Sequence, residues 1–172
     1  MLAALALTAL LFQGPASAPA TADVAPGLTV YVFTTTDCPI SNRYAPDITR
    51  LAARFARQAK FVLVYPVPGD SDAKIAEHRK KFGYGIPFQR DRDQVLVRQT
   101  GVTVTPEVAV MRDGRVLYRG RIDDRFVDFG KERPAPMHHD LENALTAILR
   151  GAPVADKETR AIGCFISDLV KP

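Results

Sequence analysis

The spacing of apolar residues changes period several times along this chain, and each change marks the edge of a predicted element. Leu28 to Thr34 is almost entirely apolar or β-branched. Such a run predicts a strand covered on both faces. Beyond it, Ile40, Tyr44, Ile48, Leu51, Phe55 and Ala59 recur every three or four positions. That spacing predicts one long amphipathic helix, with Arg43, Asp47, Arg50, Arg54 and Arg57 on its outer face. Asp37 is the expected N-cap, and Pro39 suits the first helical turn.

The second half of the pattern repeats the theme. Phe61 to Tyr65 predicts another buried strand. Ser71 or Asp72 should cap a helix from Ala73 to Phe82, stopped by Gly83, with His78 on its solvated face. Ile86 to Arg90 predicts a short extended piece, and Asp93 opens a short helix that ends at Gly101. Val102 to Pro106 leads into the strand Val108–Met111, and Asp113-Gly114 predicts a tight hairpin to Val116-Leu117-Tyr118. A loop is expected from about Asp123 to Met137, followed by a helix from His138 or His139 to Leu149. The order β-α-β-α-(β)-α-β-β-α predicts an α/β domain: a mixed central sheet flanked by helices on both faces.

The N-terminus changes the boundaries of that domain. Residues 1–20 carry no charge, and the apolar run from Leu2 to Phe12 is too short to span a membrane. It ends in Ala16-Ser17-Ala18, so residues 1–18 read as a signal peptide and the mature protein as periplasmic or secreted. No Lys or Arg follows Met1, which departs from the usual signal pattern. Residues 19–27 form a Pro- and Ala-rich leader, 28–150 the domain, and 151–172 a tail that carries Cys164. The net charge of +4 comes from interspersed charges such as Arg121-Ile122-Asp123-Asp124-Arg125, which argues against a nucleic-acid partner. No second apolar span predicts an integral membrane anchor in the mature chain.

The candidate chemistry lies at Cys38, between the first strand and the helix that follows. Backbone N–H groups at a helix start favour a thiolate. Cys38 in Thr35-Thr36-Asp37-Cys38-Pro39-Ile40-Ser41, Val104-Thr105-Pro106 before the next strand, and the Asp113-Gly114 hairpin together resemble the thioredoxin-like superfamily. The elements inserted before Pro106 are similar to those of its redoxin branch, which includes peroxiredoxins and periplasmic thiol reductants. The stretches Asp37–Pro46, Tyr118–Arg125 and Gly163-Cys164 resemble a group of exported bacterial redoxin-domain proteins.

That resemblance implies a thioredoxin-like fold, a cis Pro106 facing Cys38, and thiol–disulfide exchange with a protein thiol or disulfide, sustained by an unidentified electron donor. Thr35, Asp37, Pro39, Thr105 and Pro106 would border the substrate. Two departures qualify it. Ser41 replaces the second cysteine of a Cys-x-x-Cys site. In the peroxiredoxin pattern Thr35 matches, but Tyr31 stands at the proline position. Reduction of a small peroxide is therefore an alternative, and its arginine would have to come from Arg43, Arg119 or Arg121, with Tyr44 a further supporting residue.

Cys164 is the candidate resolving thiol. The chain from Gly151 to Cys164, at ~3.3 Å per residue, reaches roughly 40 Å, enough to bring it to Cys38. A redox-active Cys38–Cys164 bond, a permanent structural disulfide and pairing between chains all stay open. No cofactor is required for these reactions. The alternative is copper, held by Cys38, Cys164 and His139, because thiolate and imidazole suit Cu(I).

Overall fold

A computed structural model describes residues 27–166. The expected signal segment 1–18 and nearly all of the leader lie outside the described residues. The central sheet holds five strands in the order β3-β2-β1-β5-β6. They are β1 (Thr29–Phe33), β2 (Lys60–Tyr65), β3 (Phe88–Arg90), β5 (Glu107–Arg112) and β6 (Arg115–Gly120). Strands β1, β2 and β3 run parallel, whereas β5 pairs antiparallel with both β1 and β6. Asp113 and Gly114 both take positive φ in the β5–β6 turn, as a two-residue hairpin of this sequence requires.

Strand periodicity divides the core in two. Val30, Val32, Leu63, Tyr65, Val108 and Val110 face one side, where they meet Ile48 and Leu51 of α2 (Ala45–Arg54), Ile75 of α3 (Asp72–Lys81), and Leu141 and Leu145 of α5 (Asp140–Leu149). Phe33, Val64 and Ala109 face the other side, covered by Val97 of α4 (Val95–Thr100), Val102 and Ile166. Helices thus cover both faces of a mixed sheet, the architecture expected from the element order. Among the described residues no helix is long and apolar enough to cross a membrane.

Several local expectations need correction. The single helix from Ile40 is two: α1 (Pro39–Arg43) and α2, with Tyr44 between them. Pro46 has no N–H to continue the ladder, so the helix restarts with Pro46 in its first turn. Asp37 is exposed and is not the cap; Cys38 itself is the N-cap residue of α1. His78 is buried rather than solvated, held between Tyr65 and Asn42. Gln94, not Asp93, precedes α4, while Asp91 Oδ2 accepts from Val97 N at 3.0 Å. The loop after Ile122 contains a small hairpin, β7 (Phe126–Asp128) with β8 (Lys131–Glu132).

The tail is part of the fold. Arg119 of β6 donates to Lys157 O and accepts from Thr159 N, so residues 157–159 extend the sheet edge. Farther on, β9 (Cys164–Phe165) pairs antiparallel with β4 (Val104–Thr105), with Val104 opposite Phe165 and Thr105 opposite Cys164. Ile166 N donates to Thr103 O, and its side chain enters the second core. The packed unit therefore continues to Ile166, past the boundary at 150 expected from helix periodicity.

Candidate active site

Three segments meet at Cys38. The first is the β1–α1 turn. Asp70, 2 % exposed, accepts from Thr35 Oγ1 (2.8 Å) and Thr36 Oγ1 (2.5 Å), pinning the two residues that precede Asp37-Cys38. Asn42 donates from Nδ2 to Thr36 O at 3.4 Å, and its Oδ1 lies 2.8 Å from His78 Nε2. Tyr65 Oη sits 2.9 Å from His78 Nδ1. The arrangement is satisfied by a neutral ring in which Nε2–H donates to Asn42 and Nδ1 accepts from the tyrosine. Burial accordingly holds the His78 pKa below its ordinary value.

The second segment is the cis peptide Thr105–Pro106 between β4 and β5. Glu107 supports it from behind, accepting from Thr103 N at 2.8 Å and Val104 N at 3.3 Å. Burial pushes the Glu107 carboxyl above its usual range, although those two N–H groups oppose the shift. Thr105 O accepts from Cys38 Sγ at 3.0 Å.

The third segment is β9. Its pairing puts Cys164 directly across from Thr105 and beside the Cys38 sulfur. Gly163 makes this approach possible: a Cβ there would stand 2.2 Å from Thr105 O. Both thiols are free, so the structure shows the dithiol form and not the bond expected in the oxidised protein.

The two sulfurs differ in exposure and in acidity. Cys38 is 1 % exposed, whereas Cys164 is partly exposed. Burial disfavours a Cys38 thiolate, but hydrogen bonds from the Cys164 thiol, the Ser41 hydroxyl and the backbone N–H groups of Ser41 and Cys164 outweigh it. The net shift is downward. Ser41 Oγ is buried and makes no hydrogen bond in the dithiol form, which leaves it free to donate to a Cys38 thiolate. Cys164 moves the opposite way, pushed up to about 12 by burial and by its neighbour Cys38. Of the two thiols, Cys38 is therefore the first to give up its proton and Cys164 the last.

Other residues singled out from sequence lie elsewhere. Arg43 is exposed and pairs with Glu132 at 2.5 Å. Arg119 bonds Gly101 O and Glu158, and Arg121 pairs with Asp140 at 2.8 Å. None of the three is among the groups that stabilise the Cys38 thiolate. Tyr44 is a core residue whose hydroxyl donates to Asp123 Oδ1 at 2.5 Å. Thr35 turns its hydroxyl to Asp70, and Pro39 and Asp37 are exposed. His139 is an exposed N-cap residue of α5. Among the described residues no three His, Cys, Asp or Glu side chains gather as a metal site, so Cys38, Cys164 and His139 do not form the three-ligand set expected for copper.

Sequence reasoning missed Ser41, Asp70, the His78–Asn42–Tyr65 chain and the support from Glu107. Ser41 was read only as an absent cysteine. The others come from separate elements, and no local spacing marks them.

Comparisons with known proteins agree with this fold. A protein from Geobacillus kaustophilus of uncharacterized function superposes with a TM-score of 0.70 at 26% identity, over 83% of this chain and 78% of that one. A hypothetical protein from Sinorhizobium meliloti 1021 gives 0.70 at 24%, over 85% and 81%. A secreted Mycobacterium tuberculosis disulfide oxidoreductase homologous to E. coli DsbE gives 0.50 at 22%, over 72% and 84%, a likeness of fold alone. The sequence matches no curated protein. A thioredoxin-like family model matches residues 27–116, over half of the sequence, and spans both Cys38 and cis Pro106: the chain belongs to the thioredoxin-like family.

Proposed function

We propose that this protein is an exported thiol–disulfide oxidoreductase of the redoxin type, whose working pair is Cys38 and Cys164. The observation that carries the reading is that two free thiols are brought side by side: Cys164 lies across from Thr105, whose carbonyl accepts from Cys38 Sγ at 3.0 Å. In the dithiol form Cys38, the more acidic thiol, stands beside Cys164. Loss of two electrons to a disulfide-bearing oxidant would join the two sulfurs, and reduction by a thiol substrate would separate them. Ser41 stabilises the Cys38 thiolate with its N–H and hydroxyl, and Glu107 and Asp70 hold the flanking turns. The natural partners are protein thiols and disulfides in an oxidising compartment, consistent with the signal-like N-terminus.

Thiol counting by mass spectrometry tests this. The reduced protein should alkylate twice. After diamide treatment, peptide mapping should recover a Cys38–Cys164 cross-link, absent in Cys38→Ser and Cys164→Ser chains. Recovery of two unlinked cysteines after oxidation would overturn the reading.

A further inference from the structure

The same pair has a direction that its buried setting imposes. Cys38 belongs to the main hydrophobic cluster, with Tyr44, Ile40 and Leu28 among its members. It is covered on the outer side by β9, where Cys164 is partly exposed and its neighbour Phe165 is 77 % exposed. β9 is anchored on both flanks. Residues 157–159 bond Arg119, and Thr159 Oγ1 lies 2.8 Å from Tyr118 Oη, while Ile166 is 4 % exposed in the second core. The backbone edge of β4, open to an extended peptide in other contexts, is occupied here by the chain itself.

A thiolate displaces a disulfide sulfur from the side opposite the leaving sulfur, and the accessible sulfur is the one attacked. Approach to Cys38 opposite Cys164 runs through packed core. Cys164, by contrast, is partly exposed, while Cys38 is 1 % exposed, so of the two residues it is Cys164 that an external thiol can reach from solvent. Taken with the pairing proposed above, on which this inference rests, we infer that Cys164 is the entry sulfur, the one that forms the mixed disulfide with external thiols, and that Cys38 is the internal leaving thiolate.

The step balances as follows. An external thiolate RS⁻ attacks Cys164 Sγ; an RS–Sγ bond forms, the Cys164–Cys38 bond breaks, and Cys38 leaves with the electron pair. A second external thiolate attacks the R sulfur of the mixed disulfide. RS–SR forms, and Cys164 departs as a thiolate that takes a proton from water. Two thiols are oxidised to one disulfide, and the protein disulfide is reduced to two thiol groups. In reverse, Cys164 loses its proton to solvent base and attacks one sulfur of an external disulfide, expelling RS⁻; the Cys38 thiolate then attacks Cys164 Sγ, closing the internal bond and expelling the second RS⁻. External substrates therefore exchange without β9 leaving β4.

The test uses the wild-type chain. Diamide-oxidised protein, freed of reagent, is mixed briefly with reduced glutathione, quenched with acid, blocked with N-ethylmaleimide and mapped. Glutathione on Cys164 and maleimide on Cys38, in roughly tenfold or greater excess over the converse, is the expected result. Glutathione on Cys38, or evenly on both, overturns the assignment of the entry sulfur while leaving the redox pair intact. Absence of any Cys38–Cys164 bond before glutathione is added overturns the pair and this inference together.

Discussion

At the scale of single residues, the site works because opposing effects on one sulfur are not equal. Burial alone would keep Cys38 protonated, and four hydrogen bonds to its thiolate reverse that. Ser41→Ala removes one of them and should raise the Cys38 pKa, read from the pH dependence of thiolate absorbance near 240 nm. An unchanged titration would show that the hydroxyl contributes nothing.

The thiol pair also ties stability to pH. Folding lowers the Cys38 pKa from 9.0, so below 9.0 the unfolded chain binds more protons and stability of the reduced protein rises with pH. Folding raises Cys164 to about 12, so from 9.0 to about 12 the folded chain binds more protons and stability falls. Denaturant melts of the reduced protein should show a thiol-dependent maximum near pH 9, missing in the double Cys→Ser chain. His78 acts at the acid end. Its folded pKa lies below 6.5, so as pH falls below 6.5 the unfolded chain gains the proton first and stability is lost. A His78→Gln chain should lose less stability between pH 7 and pH 5 than the parent.

At the scale of elements, β9 decides what reaches Cys38. Its pairing with β4 leaves no room for a side chain at position 163. Gly163→Val should therefore lift β9 from β4 at a cost of about 1–3 kcal/mol, the usual range for overpacking a tight site. Cys38 should then alkylate faster, and diamide should no longer link it efficiently to Cys164. Unchanged alkylation would mean that β9 does not shield Cys38. Another element-level support is Asp124, which is buried and accepts from Met137 N and His138 N at 2.7 and 2.9 Å, closing the loop that enters α5. Asp124→Ala strands two N–H groups and should cost roughly 1–3 kcal/mol, measured by urea unfolding.

At the scale of the whole molecule, the tail completes the second core. Ile166 covers Phe33, Val64, Val97, Val102 and Ala109, so Ile166→Ala should destabilise the fold by about 2–5 kcal/mol in denaturant melts. Oxidation should work the other way. A Cys38–Cys164 bond closes nearly the whole domain, and in the chain-entropy view it constrains the unfolded state by about 4–5 kcal/mol. The oxidised protein should melt at higher denaturant than the reduced one.

Much of this was legible from local pattern. The strand runs, the Asp113-Gly114 turn and Cys38 at a strand-to-helix junction follow from residue periodicity and backbone preference, which depend on near neighbours. The long helix was misread because hydrophobic spacing continues across Tyr44, while Pro46 interrupts the backbone ladder. His78 was placed in solvent because charged neighbours surround it in sequence; its partners Tyr65 and Asn42 come from other elements. The sequence by itself determined a two-cysteine α/β chain with one thiol at a helix start. Only the tertiary structure decided which thiol is buried, which is the more acidic, and that β9 lies between Cys38 and solvent. Those outcomes depend on the long-range pairing of Thr105 with Cys164 and on the burial it produces, neither of which any local spacing encodes.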